Sequence, residues 1–288
     1  MYMNKRLKIA ILGASDFQNP MILKAKEMGL ETHVFAWECG DIGEKTADVF
    51  HPISIADKEK IFEICQKEHI NGITTCGSDF AVICINYVAE MLRLPGNPVS
   101  TTMQCTNKFV MRETLKCGGV PVPGFTKVNA ESSAADVLKG LSFPLVVKPT
   151  DRSGSRAVHL ATNEKELEAA MKDAIETSFA KEAIVEEYID GPEYSCESVT
   201  FDGVHHTLAI TKKYTSGPPY FVEIAHSQPS DIPEELYPRV VEQIHKALTT
   251  SSKRPQRGRS SGIADWRISC GTPASSASVA ARRTFDLL

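Results

Sequence analysis

Apolar and polar positions follow two successive patterns along this chain, and the change of pattern divides it. Residues 7–12 are a short apolar run that ends at Gly13, which reads as a buried strand. Residues 20–28 are amphipathic and stop at Gly29, a residue suited to ending a helix. A second strand is predicted over 31–37. A helix follows over 57–68, with Ile61, Phe62, Ile64 and Cys65 on one face. Residues 71–75 read as a third strand and 79–92 as a third helix ending near Pro95. Repeated β–α units with short loops predict an α/β domain over 1–105, its parallel sheet covered on both faces.

A helix is expected over 101–117, entered through Thr106-Asn-Lys108, and Val120-Pro-Val-Pro-Gly124 then breaks the chain. Beyond the break the elements are mixed. Strands are predicted at 125–128, 145–148, 159–161 and 183–188, with helices at 134–141 and 165–177. A hairpin, 194–201 with 205–213, turns at Asp202-Gly203, and a last helix covers 233–248. This describes an α+β domain over 106–250. Residues 251–288 are rich in Ser, Arg, Ala and Gly, contain no Glu, and have only Asp265 and Asp286 as acids. They read as an aberrant or disordered tail, and a replaced native continuation is the favoured explanation.

Composition narrows the function. A hydrophobic content of 42% and a charged content of 24% are ordinary for a globular chain. A net charge of -4 argues against nucleic acid as partner, the one basic cluster lying at 253–259. No stretch approaches the ~20 apolar residues that span a bilayer, and 9–12 is too short for a signal segment. A cytoplasmic protein without a membrane partner is expected. The eight cysteines form no Cys-x-x-Cys pair, so they are expected to be reduced thiols, several of them buried.

The chemistry gathers in three segments: Phe143-Pro-Leu-Val-Val-Lys-Pro149, Asp151-Arg-Ser-Gly-Ser-Arg156 and Ile184-Val-Glu-Glu-Tyr-Ile-Asp-Gly-Pro-Glu193. A strand delivers Lys148, a small-residue turn at Ser153, Gly154 and Ser155 offers backbone amides, and a second strand delivers carboxylates. Lys108 opens a helix, where a cation and free amides favour a phosphate. Glu186 and Glu187 must face opposite sides of their strand. Glu193 follows Gly191-Pro192, and a carboxylate can accept two hydrogen bonds from a diol. Gly13-Ala-Ser15 could be a dinucleotide loop, but Ser15 and Gln18 stand where the fingerprint needs its later glycines.

In this order, over roughly residues 5–250, the segments resemble the ATP-grasp superfamily. The resemblance implies a Rossmann-like pre-ATP-grasp domain followed by an ATP-grasp domain, with ATP and Mg2+ as cofactors. It places Lys148 between phosphate and adenine, Lys108 on the phosphates, and the Ser153–Gly154–Ser155 turn over them. Glu186 would accept from the adenine amino group. The Glu187 to Ile189 backbone would meet the ring edge, Ile189 and Val146 would sandwich the base, and Glu193 would bind the ribose. Lys213, preferred to Lys212, would reach the γ-phosphate.

Glu223 and His226 form a Glu-x-x-His pair that resembles the L-amino-acid ligase branch, where the two help hold the amino-acid substrate. A purely structural role for His226 stays open. A zinc reading of the pair lacks a third ligand. The implied activity is ATP-dependent ligation, in which a carboxylate, activated as an acylphosphate, is attacked by an amine. Amino acids are the expected small-molecule substrates; a homodimer is left open. The alternatives are a carbamoyl-phosphate-synthase-like or purine-biosynthesis-like enzyme, or an inactive ATP-binding module. The family's magnesium carboxylates come from two late strands, the second in a Glu-x-Asn pattern. No such segment follows Glu242, so no metal ligand is assigned and weak ATP binding with little turnover is expected.

Overall fold

The computed structural model describes residues 6–201, 203–218, 220–252, 261–270 and 277–281. Strands β1 (Lys8–Leu12), β2 (Glu31–Ala36), β3 (Val49–Pro52) and β4 (Gly72–Thr74) form a parallel sheet in the order β3-β2-β1-β4. Helices α1 (Asn19–Glu27), α2 (Ile42–Thr46), α3 (Lys58–Lys67) and α4 (Asp79–Leu92) connect and cover it. Strand alternation sorts β1 between two cores. Ala10 and Leu12 pack with Ile61, Cys65 and Val88, whereas Ile11 packs with Ile22 and Ala25. The four-residue β3 was not predicted, its apolar run being too short and closed by Pro52.

The loop after β1 is closed by its own side chain. Gly13 has φ +100°, and a Cβ there would lie 2.8 Å from Gln18 Cδ. Gln18 donates to the Cys76 carbonyl at 2.6 Å and accepts from the Ser15 amide and hydroxyl. The position where a dinucleotide loop needs a glycine thus holds a glutamine that ties β1 to β4.

The helix expected over 101–117 is two helices, α5 (Val99–Thr106) and α6 (Lys108–Cys117). Asn107 separates them with extended backbone, its side chain accepting from the Phe109 and Val110 amides at 3.1 Å. A short polar side chain competes with the helix for those amides and makes a better N-cap than interior residue.

Strand β5 (Phe125–Val128), helix α7 (Ala134–Val137), strands β6 (Leu145–Pro149) and β7 (His159–Ala161), helix α8 (Glu164–Thr177) and strand β8 (Ala183–Glu187) build an antiparallel sheet ordered β5-β8-β6-β7. Its core joins Leu145, Val147 and Val185 to Leu167 and Met171. A second antiparallel sheet contains β9 (Glu193–Phe201), β10 (Val204–Thr215) and β11 (Glu223–Ser227). Helix α9 (Tyr237–Ser252) covers it, and β12 (Ser261–Cys270) and β13 (Ala277–Ala281) extend it in the order β11-β10-β9-β12-β13. Here Tyr194, Cys196 and Ile210 pack against Val240 and Ile244 of α9 and Met111 and Leu115 of α6.

The β9–β10 hairpin forms as expected, with Phe201 paired to Val204 and Gly203 at φ +82°; Asp202 lies outside the described residues. In the segment read as an aberrant or disordered tail, backbone strands are present at β12 and β13. Ser261 to Ser269 pair antiparallel with Phe201 to Glu193. The free edge of β9 presents a row of backbone groups that a neighbouring strand can satisfy with little demand on side chains. The basic cluster 253–259 and Asp286 lie outside the described residues. The described cysteines are free thiols, and burial pushes Cys65 and Cys84 up to about 12. No helix among the described residues is long and apolar enough to cross a membrane.

Candidate nucleotide and substrate site

Two charged clusters lie on the two antiparallel sheets, joined by the short segment from β8 to β9. The first centres on Glu186, which is 3% exposed. The register sets Glu186 opposite Val146, with Lys148 two residues along β6, so the two charged side chains share one face. The opposite face carries Leu145, Val147 and Val185 into the core. Glu186 Oε2 is ion-paired with Lys148, and Oε1 accepts from the Arg112 Nε of α6. Burial opposes the charge, but Arg112 and then Lys148 override it and hold the carboxyl down at about 2. Glu187 turns the other way, as alternation requires, and accepts from the Gly124 amide at 3.2 Å.

Lys108 lies one turn before Arg112. Its ammonium donates to the carbonyls of Pro149, at 3.1 Å, and Arg152, and its amide donates to the Thr150 carbonyl. It ties α6 to the base of the turn that carries Ser153, Gly154 and Ser155. Asp151 anchors the same turn by accepting from the Phe179 and Ala180 amides. Ser153 and Gly154 are exposed, while the Ser155 hydroxyl donates to the Phe221 carbonyl at 3.0 Å. Ser155 and Phe221 both adopt left-handed backbone, φ +54° and +49°. That conformation is costly for residues with a Cβ, and here it falls on both sides of the contact.

The second cluster surrounds Lys213, whose side chain is 1% exposed. Its Nζ lies 2.8 Å from Glu223 Oε1 and 3.8 Å from Glu193 Oε2, and Glu223 Oε2 lies 3.5 Å from His226 Nε2. Glu193 and Lys213 are direct partners on β9 and β10. The neighbouring Lys212 points away, to Asp231, which also accepts from the Tyr194 hydroxyl. A cavity of about 260 Å³ lies against the cluster, lined by Tyr188, Ile189, Glu193, Lys213, Tyr214 and Phe221 among others.

Of the residues singled out in the sequence, Ile189, Glu193 and Lys213 therefore meet at one cavity, with Glu223 and His226 bonded behind Lys213. Among the described residues the lining does not include Lys108, Lys148 or Glu186, which form the first cluster. Ser155 reaches the lining through Phe221. Arg112 was missed in the sequence, although its place one turn after Lys108 beside buried Met111 was a usable signal. The side chains of Phe221 and Tyr214 were missed too; a single aromatic in a loop or at a strand end carries no pattern. Among the described residues no three His, Cys, Asp or Glu side chains gather as a metal site. Glu193 and Glu223, the carboxylates beside the cavity, both face Lys213.

Residues 141–253 match the ATP-grasp domain family. The Sinorhizobium fredii protein y4rH is 28% identical over 183 residues, which is 62% of this chain and 37% of that protein. This chain thus spans well under half the length of that curated relative. The structure is similar to that of L-amino acid ligase from Bacillus licheniformis, with TM-score 0.78 and 25% identity over 96% of this chain and 67% of that one. The biotin carboxylase domain of Hydrogenobacter thermophilus 2-oxoglutarate carboxylase, solved with MgADP, shares the fold with TM-score 0.78 and 17% identity, over 96% of this chain and 64% of that one. Residues 141–253 thus match an ATP-grasp domain, within a fold similar to that of an L-amino acid ligase and of a biotin carboxylase domain solved with MgADP.

Proposed function

We propose that this chain is an ATP-dependent carboxylate–amine ligase acting on amino acids. The observation that carries the reading is the placing of Glu193 and Lys213. One carboxylate and one buried ammonium, adjacent across two strands, line the same cavity. In this reading the base rests between Ile189 and Val146, with the backbone of 187–189 at its edge, and Glu193 accepts from the ribose hydroxyls. The phosphates run beneath the turn at Ser153–Gly154–Ser155 towards Lys213. Passing the γ-phosphoryl group to a substrate carboxylate concentrates negative charge, which Lys213, Lys148 and the turn amides offset.

The acylphosphate so formed is attacked by an amine, and phosphate leaves. An amino acid's amine is largely protonated at neutral pH, so it must lose a proton before attack. Glu223 and the half-exposed His226, an ion pair beside Lys213, are assigned to hold that ammonium and receive its proton, as the resemblance to the L-amino-acid ligase branch implies. The described residues do not fit a carboxylate-held magnesium ion, because Glu193 and Glu223 are turned to Lys213. No step above is routed through the metal.

The test is hydroxylamine trapping. The protein is incubated with ATP, magnesium and single amino acids, and hydroxamate is measured beside ADP release. Hydroxamate above the level of a Lys213→Met variant, however slow, supports the ligase. No hydroxamate with any amino acid tried sinks the reading; ADP release then marks an ATP hydrolase, and its absence a nucleotide-binding module. Fast magnesium-dependent turnover would instead remove the expectation of weak activity.

A further inference from the structure

Arg112 belongs to no segment that suggested a site, yet it makes one of the most buried charged contacts described here. It is 6% exposed, on a helix whose neighbouring Met111 and Leu115 lie in a hydrophobic core. A buried guanidinium there needs a compensating partner, and the Glu186 carboxylate supplies it from 74 residues away. Glu186 sits in β8, paired to β5 on one side and β6 on the other. Its backbone is therefore fixed, and only its side-chain torsions remain to be set. Arg112 takes Oε1, and the remaining oxygen meets Lys148. Without Arg112 the carboxylate could rotate and take the Lys148 ammonium with both oxygens, drawing it towards the sheet.

We propose that Arg112 is a positioning residue, which orients Glu186 so that the Lys148 ammonium is aimed at the phosphates of a bound nucleotide. This rests on the nucleotide reading of the site given above. The same helix acts on the same strand at a second point, since Lys108 bonds the Pro149 carbonyl next to Lys148. Helix α6 thus sets both the end of β6 and the side chain that the strand presents. The specific consequence is that Arg112 governs affinity for phosphate and not for the nucleoside.

The experiment compares ATP with adenosine by titration calorimetry on the full chain. The variants are Arg112→Met, Arg112→Met with Glu186→Gln, and Lys148→Ala. The double variant leaves no unpaired carboxylate and guards against a simple failure to fold. The expected result is a fall of about tenfold in the ratio of ATP to adenosine affinity in both Arg112 variants, in line with the loss of one charge-assisted hydrogen bond. Adenosine affinity of Arg112→Met should stay near wild type, and the double variant should still unfold in one cooperative transition. An unchanged ratio, or an equal loss of both ligands, overturns the proposal and makes Arg112 structural. If Lys148→Ala leaves ATP binding unaltered, the nucleotide reading itself fails, which separates that failure from one confined to Arg112.

Discussion

Glu223 and His226 share one face of β11 although they stand three residues apart, an odd spacing that a regular strand would send to opposite faces. The register explains it: Lys213 pairs with His226, Tyr214 with Ala225, and Thr215 with Glu223, which leaves Ile224 as an extra residue. The bulge resets the alternation, so Lys213 meets both members of the pair. Ile224 itself projects to solvent at 67% exposure. A local irregularity thus assembles the part of the site to which the amino-acid substrate is assigned.

Deleting Ile224 alone would leave Glu223 and His226 two residues apart and still on one face, whereas deleting Ile224 and Ala225 together makes them neighbours in a regular strand and should carry Glu223 to the far face. Hydroxamate formation is expected to fall about tenfold or more, the scale of losing a positioned acid–base group. Since β11 ends the sheet, far-UV circular dichroism should barely change. Retained activity in the folded double-deletion variant would refute the role given to the shared face of Glu223 and His226.

Lys213→Met removes a buried cation and leaves Glu193 and Glu223 facing each other without it. Stability is expected to drop by roughly 2–4 kcal/mol, as for breaking a largely buried ion pair. Urea unfolding monitored by tryptophan-independent far-UV signal reads this directly. A loss below ~0.5 kcal/mol would mean that Lys213 is far less buried in solution than its 1% side-chain exposure indicates.

Glu186 makes stability depend on acid. Its carboxyl is held at about 2 against an ordinary 4.5. The folded form thus binds its proton less readily than the unfolded chain. The stabilisation is complete above about 4.5 and is lost as pH falls towards about 2, and it amounts to something on the order of 3 kcal/mol. In Glu186→Gln the fall in stability across that window should be shallower by a comparable amount. Equal slopes for both proteins, measured by urea unfolding at a series of pH values, would contradict the Arg112–Glu186–Lys148 arrangement.

Gly13→Ala tests the closed loop of the first domain. The residue has φ +100° and no room beside Gln18, so the variant should lose roughly 1–3 kcal/mol from backbone strain and crowding. Combining it with Gln18→Ala should relieve the crowding yet leave the strain, giving a partial recovery only. Full recovery in the double variant would show that space alone requires glycine there.

Much of the fold was legible because periodicity reports burial. The run ending at Gly13 and the face formed by Ile61 and Cys65 each state which side must be covered, and the structure covers them as expected. The opposed directions of Glu186 and Glu187 followed from strand alternation alone. Asn107 was harder to read, since the apolar pattern continues across it and only its capping chemistry breaks the helix. Lys108 was legible as a helix-start cation, but its bonds to the Pro149 and Arg152 carbonyls depend on where β6 ends in space.

The chain's pattern therefore determined the parallel α/β domain, the antiparallel α+β domain and the strand positions of Lys148, Glu193 and Lys213. Tertiary structure alone decided that Arg112 would clamp Glu186, that Ile224 would bulge and turn Glu223 towards Lys213, and that Ser155 would meet Phe221. The difference is physical. Burial leaves a repeating trace over neighbouring residues, whereas the pairing of charges 74 residues apart depends on register and helix placement, which no local repeat records.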